Sequence, residues 1–173
     1  VVAALTATVT FVALEAGFGA AVHGDNLHRL GQRDLGFHDL GGKRQRPLFT
    51  VAAAATGLPD GEAVHDDVVR GGVAVELVQV GSLYHDDVMD EAQMRRQVIS
   101  VNARWGNLRA ILAGDFLLAK ASEIAAGLGN EVAGLLARTI GDLCRGQVAE
   151  LQTLYDVNRT EDQYYPSIAG KTA

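Results

Sequence analysis

From residue 62 to residue 91 apolar side chains recur at helical spacing on more than one face, so this segment belongs in the middle of a bundle and not on its surface. It runs out into His85-Asp86-Asp87-Val88-Met89-Asp90, with carboxylates at i, i+1 and i+4. At about 100° of rotation per residue, Asp86 and Asp90 come round to nearly the same face one turn apart, with Asp87 beside them. Ionised groups are too costly to sink into apolar packing, so the end of this buried helix must open on a cavity or cleft. Like charges that close repel, and a cation is the natural counter-charge. Only oxygen ligands are on offer, with no cysteine and no partner histidine at ligand spacing, which suits hard Mg2+ rather than zinc or copper. The pattern points to an ion held against a phosphate.

Helical spacing continues through almost the whole chain, and no run of alternating polar and apolar residues is long enough to suggest a sheet. The fold class read from this is all-α. The spacing predicts helices over 3–22, 45–57, 62–91, 103–127, 131–155 and 160–173, punctuated by Gly41-Gly42, by Gly57-Leu58-Pro59-Asp60-Gly61 and by Gly127 to Asn130. His65-Asp66-Asp67-Val68-Val69-Arg70 echoes the later acidic run, but Arg70 replaces the third acid. Asp66 and Asp67 read as N-terminal helix charges favoured by the macrodipole.

The 173 residues, 48% of them hydrophobic, are enough for one core and one domain, 1–173. A formal net charge of −6 argues against a sequence-independent hold on nucleic acid, so any anion site has to be local. The single cysteine, Cys144, excludes an internal disulfide and fits a reducing cytoplasm. Residues 1–24 are apolar, but no Lys or Arg precedes the run, Glu15 sits inside it, and Gly17 and Gly19 interrupt it. The expectation is a buried or partner-facing helix rather than a membrane span.

Two clusters of fixed positive charge accompany the acids: Gly41-Gly42-Lys43-Arg44-Gln45-Arg46-Pro47 and Arg95-Arg96. Glycines that allow close backbone approach, followed by Lys and Arg at a helix start, can grip a diphosphate. Taken alone, Lys43 and Arg46 read equally as a solvated basic turn or a diphosphate grip, and Arg95-Arg96 reads as a salt-bridged helix end. Together with the aspartates they suit a site for two diphosphates, one held through metal and one by bare cationic side chains.

These stretches, with Leu83-Tyr84 before the aspartates, Glu91 after them and Met94 before the arginines, resemble the motifs of trans-polyprenyl diphosphate synthases. Ala103-Arg104-Trp105-Gly106-Asn107, Ala110 to Ala119 and Gly170-Lys171-Thr172-Ala173 extend the resemblance, which covers residues 40 to 173 in order. It implies an antiparallel helical bundle of the isoprenoid synthase type, represented here by its N-terminal portion. It also implies head-to-tail condensation of isopentenyl diphosphate with an allylic prenyl diphosphate, and a homodimer.

By motif position the resemblance assigns Mg2+ to Asp86 and Asp90 with Asp87 assisting. It assigns isopentenyl diphosphate to Lys43, Arg46, Arg96 and Gln79, and the allylic diphosphate to Arg95, Lys171 and Thr172. Asp86, Asp87, Asp90 and Lys171 then carry the catalytic roles. Positions just before the aspartates form the floor of the family's chain-elongation cavity. Gly81 and Ser82 are small, so the expected product is of geranylgeranyl length or longer, with Tyr84 and Val78 as further limits on growth.

Departures leave alternatives open. Gln97-Val98-Ile99-Ser100 stands where the family continues with Gly and, two residues on, Pro, which alters the turn presenting both arginines. Pro166 falls inside the last predicted helix and is expected to kink it. The family's second aspartate-rich motif has no counterpart here, so the chain is expected to be a fragment. A noncatalytic partner subunit or degenerate paralogue is one alternative. A class I terpene cyclase is another, although Lys43, Arg46 and Arg96 exceed the needs of one diphosphate. His23, His28, His38 and His65 read as structural or surface residues, Trp105 as core, Asp115 as a lone polar residue of a core helix, and Cys144 as a small buried hydrophobe.

Overall fold

A computed structural model describes residues 45–59 and 62–172. The predicted helix at 3–22, Lys43 and the preceding glycines lie outside the described residues. By internal contacts the chain divides after Leu128 into two compact units.

In the first unit, α1 spans Gln45–Ala55, α2 spans Asp66–Met89, α3 spans Val101–Trp105 and α4 spans Asn107–Leu128. A two-stranded antiparallel hairpin, β1 (Met94–Arg95) and β2 (Val98–Ile99), joins α2 to α3. The all-α expectation holds, since these two-residue strands are the only ones among the described residues.

Helix α2 starts later than predicted because His65 caps it: its Nδ1 accepts the Asp67 N–H at 3.2 Å. Asp66 and Asp67 do occupy the first turn, at the positive end of the helix, with Arg70 bound to Asp67 at 3.2 Å. The predicted helix at 103–127 is two helices, broken at Gly106, whose φ of 89° belongs to the left-handed region.

The core of this unit is the α2–α4 seam. Val73, Ala74, Leu77, Val78 and Tyr84 of α2 are buried with Ala110, Ala113, Leu117, Ala121 and Ala125 of α4. The buried residues of α4, all small except Leu117, recur every three or four positions, so one face lies against α2. The helices meet at Gly81 and Gly114: a Cβ on either would stand 3.0 Å from the other's carbonyl oxygen. Helix α1 packs lower on α2, where a Cβ on Gly72 would stand 3.3 Å from the Cα of buried Pro47.

In the second unit, α5 (Asn130–Gln152) pairs with α6 (Glu161–Thr172). The Gln163 side chain accepts the Thr160 N–H at 3.0 Å at the start of α6. Pro166 sits inside α6 without ending it. The two helices touch at glycines: a Cβ on Gly146 would stand 2.6 Å from the Lys171 backbone nitrogen, and one on Gly170 would stand 2.8 Å from the Asp142 carbonyl oxygen. Cys144 is exposed, correcting the expected burial. No described helix is long and apolar enough to cross a membrane.

Candidate functional site

The acidic run lies in the last turn of α2, the negative end of the helix dipole, where no basic residue of the helix offsets it. The three aspartates take different positions there. Asp86 is half-buried, and Asp90 is exposed and forms the C-cap, its N–H bonded to the Asp86 oxygen at 2.8 Å. Asp87 is turned inward, with 2% of its surface exposed.

Asp87 Oδ1 accepts from both Nε and Nη2 of Arg95, each at 2.7 Å. A guanidinium bound through two donors is fixed in orientation as well as position. Arg95 is 27% exposed and keeps three further N–H donors beyond those spent on Asp87. Tyr84 is buried one turn before, and burial first, then the neighbouring Asp87 charge, pushes its phenol far above the ordinary range.

The connection that carries Arg95 is tied back to the same helix end. Asn102 donates its amide to the Asp87 carbonyl at 3.0 Å and to the Ala92 carbonyl at 3.1 Å, while the Ser100 hydroxyl donates to Ala92. At the hairpin tip Arg96 and Gln97 have φ of 49° and 71°. Two consecutive left-handed residues between Arg95 and its partner Val98 make the tight turn whose twist matches paired strands. This is the turn that the missing family Gly and Pro were expected to alter. Gln97 stands in it in a conformation that glycine adopts more readily.

His85 anchors the acidic end to α4. Its Nε2 lies 3.1 Å from the Ile111 carbonyl and 3.3 Å from Asp115 Oδ1, both acceptors, so this nitrogen carries the proton. The ring rests directly on Gly114, where a Cβ would stand 2.3 Å from Nε2. Asp115, expected as a lone polar residue, is exposed and is the partner of His85.

Gly81 and Ser82 have different surroundings. The space beside Gly81 is filled by α4, with Leu117 Cβ and Leu118 Cγ each 3.4 Å from a Cβ placed there. Ser82 is half-buried, and its hydroxyl donates to the Gln79 carbonyl at 2.9 Å. Trp105 is half-buried with the Arg104 guanidinium 4.8 Å over its ring, so it is not the core residue expected.

Arg46 is exposed in the first turn of α1 and is not brought beside the aspartates. The adjoining Pro47 meets α2 at Gly72, fourteen positions before Asp86 and seven before Gln79. Along the helix axis that is about 21 Å and about 10 Å respectively. In the second unit the Lys171 ammonium meets the Glu150 carboxylate of α5, and Thr172 is exposed. Glu150 has no motif of its own in the sequence; its sole signal is the helical register that puts it one turn after Gly146.

No three His, Cys, Asp or Glu side chains among the described residues form a self-contained metal cage. Asp86 and Asp90 still fit Mg2+, which takes one or two carboxylates and leaves its other positions to water and substrate phosphates.

Residues 36–173 match the polyprenyl synthetase family. The chain is 45% identical over 139 residues to a nonaprenyl diphosphate synthase of Mycobacterium tuberculosis, covering 80% of this chain and 40% of that protein. It is 39% identical over 145 residues to heptaprenyl diphosphate synthase component 2 of Geobacillus stearothermophilus, covering 83% and 44%. Among solved structures it is similar to a polyprenyl synthase of Caulobacter crescentus, complexed with calcium and isoprenyl diphosphate. That match has a TM-score of 0.75 and 30% identity, and covers 98% of this chain and 49% of the other. The chain thus spans less than half the length of these relatives. By its motifs, its helical architecture and these matches, the chain belongs to the polyprenyl synthetase family.

Proposed function

We propose that this chain carries the first aspartate-rich half of a trans-prenyl diphosphate synthase. The enzyme would join isopentenyl diphosphate head-to-tail to an allylic prenyl diphosphate, giving a product of geranylgeranyl length or longer. The observation that carries this reading is Arg95, gripped through two donors by buried Asp87 beside the partly exposed Asp86 and Asp90. The nonaprenyl and heptaprenyl names of the relatives support a long product.

Bound Mg2+ would neutralise charge developing on the leaving diphosphate. In this reading Asp86 and Asp90 hold the ion, and Asp87 acts through Arg95. As the allylic carbon–oxygen bond breaks, its electron pair leaves with the diphosphate. Arg95 donates hydrogen bonds to that anion, and Lys171 and Thr172 are, by motif position, diphosphate ligands. Arg46, Gln79, Arg96 and Lys43 hold the second diphosphate. The isopentenyl double bond then supplies the electrons of the new carbon–carbon bond to the allylic cation. Loss of a proton to the released diphosphate leaves a new double bond. Such a cation needs an apolar, water-poor surrounding.

Because the space at Gly81 is taken by α4, the length reading rests on Ser82. Ser82→Phe should shorten the product; unchanged length removes Ser82 from that role. Assembly as a homodimer, or with a second subunit as the name component 2 suggests for the Geobacillus relative, is part of the proposal. Incubation with Mg2+, farnesyl diphosphate and labelled isopentenyl diphosphate tests the whole. Chain elongation supports it, and a cyclic hydrocarbon or no turnover with every partner supplied opposes it.

A further inference from the structure

Glu150 and Lys171 stand 21 positions apart in the chain, yet their side chains meet across the α5–α6 pair. The cause is local. Gly146 and Gly170 let the two backbones touch, Glu150 comes one turn after Gly146, and Lys171 directly follows Gly170. A longer residue at either glycine would hold the helices apart and leave the carboxylate and ammonium out of reach. The Lys171 and Glu150 side chains are 34% and 37% exposed, wet enough for an incoming anion to reach the ammonium.

We infer that Glu150 is an intramolecular competitor for diphosphate: it occupies Lys171 in the ligand-free protein and gives up that contact when a diphosphate arrives. The inference rests on Lys171 being a diphosphate ligand, as in the preceding reading. An ammonium has three donors and no preferred plane, so it can turn from a carboxylate to a more highly charged phosphate group without moving its helix. Breaking the pair subtracts from diphosphate binding. Glu150→Gln keeps the shape of the side chain and removes the competing charge, so it should tighten binding rather than weaken it. The loss of a half-exposed ion pair corresponds to about two- to five-fold in Kd.

The test is calorimetric titration of the full 173-residue chain with inorganic pyrophosphate in Mg2+ buffer, using Glu150→Gln, Lys171→Met and the double variant. Helical ellipticity serves as the check of folding. Expected are tighter binding in Glu150→Gln, weaker binding in Lys171→Met, and little effect of Glu150→Gln once Lys171 is gone. Unchanged or weaker binding in Glu150→Gln overturns the inference while leaving Lys171 as a ligand. So does a gain that persists undiminished in Lys171→Met, because that is a general charge effect. If Lys171→Met binds as well as wild type, or wild type binds no pyrophosphate, the functional reading fails and the inference with it. Should Glu150→Gln lose its helices, Glu150→Asp, with a shorter reach, is expected to tighten binding in the same direction. No change in Glu150→Asp then counts against the inference.

Discussion

Gly114→Ala tests the seat of His85. The added methyl would stand 2.3 Å from His85 Nε2, 2.6 Å from Cδ2 and 3.0 Å from the Gly81 carbonyl oxygen. The imidazole must swing away, losing its bond to the Ile111 carbonyl and its contact with Asp115. Losing that hydrogen bond costs about 0.5–1.5 kcal/mol, and overpacking the seam adds about 1–3 kcal/mol. Alanine's better helix propensity returns about 1 kcal/mol. The net loss is about 0.5–3.5 kcal/mol, which for a chain this long lowers Tm by roughly 1–14 °C. Thermal and urea unfolding followed by far-UV circular dichroism measure it. His85→Ala combined with Gly114→Ala should recover part of the loss, because the ring is gone while the contact with the Gly81 oxygen remains. A Gly114→Ala protein as stable as wild type, or a double variant whose losses simply add, would refute the reasoning.

Asp87→Asn removes the charge that fixes Arg95 but keeps the shape. With Arg95 partly exposed, the expected loss is about 1–3 kcal/mol, below the figure for a fully buried pair, read as a lower urea midpoint with unchanged slope. Tyr84 stays protonated in the fold while an unfolded phenol ionises near pH 10. Its contribution is therefore whole below about pH 10 and is lost above it at up to about 1.4 kcal/mol per pH unit. Tyr84→Phe should flatten the fall of urea midpoint between about pH 8 and pH 11. Gln97→Gly relieves a left-handed residue at the hairpin tip and should stabilise by about 0.5–1 kcal/mol in the same unfolding assay; a loss would show that Gln97 makes a contact outweighing its backbone strain.

Much of the helical layout is legible in the residues because hydrophobic spacing survives wherever helices pack. The predicted 45–57, 131–155 and 160–173 overlap α1, α5 and α6 closely. Segment 62–91 is trimmed to Asp66–Met89 because His65, a less usual cap than Ser or Asp, supplies the first hydrogen bond. The hairpin at 94–99 escapes notice since two-residue strands are too short to display a period of two. At the site, the one-turn spacing of Asp86 and Asp90 is readable from helix geometry alone. The inward turn of Asp87 is not, because it depends on Arg95 returning through a hairpin and on Asn102 receiving the helix end. Gly81 illustrates a further limit: a small residue before the aspartates looks the same in sequence whether it borders a hollow or a neighbouring helix.

The stitches that Asn102 and Ser100 make to the Asp87 and Ala92 carbonyls join residues 86 to 102 into one mechanical element. In amide hydrogen exchange the last turn of α2, the hairpin and the start of α3 should open together with a single protection energy, rather than fraying one after another. A force on the arginine hairpin therefore pulls the helix end with it, and the registry between the Arg95 guanidinium and the acidic groups survives the motion.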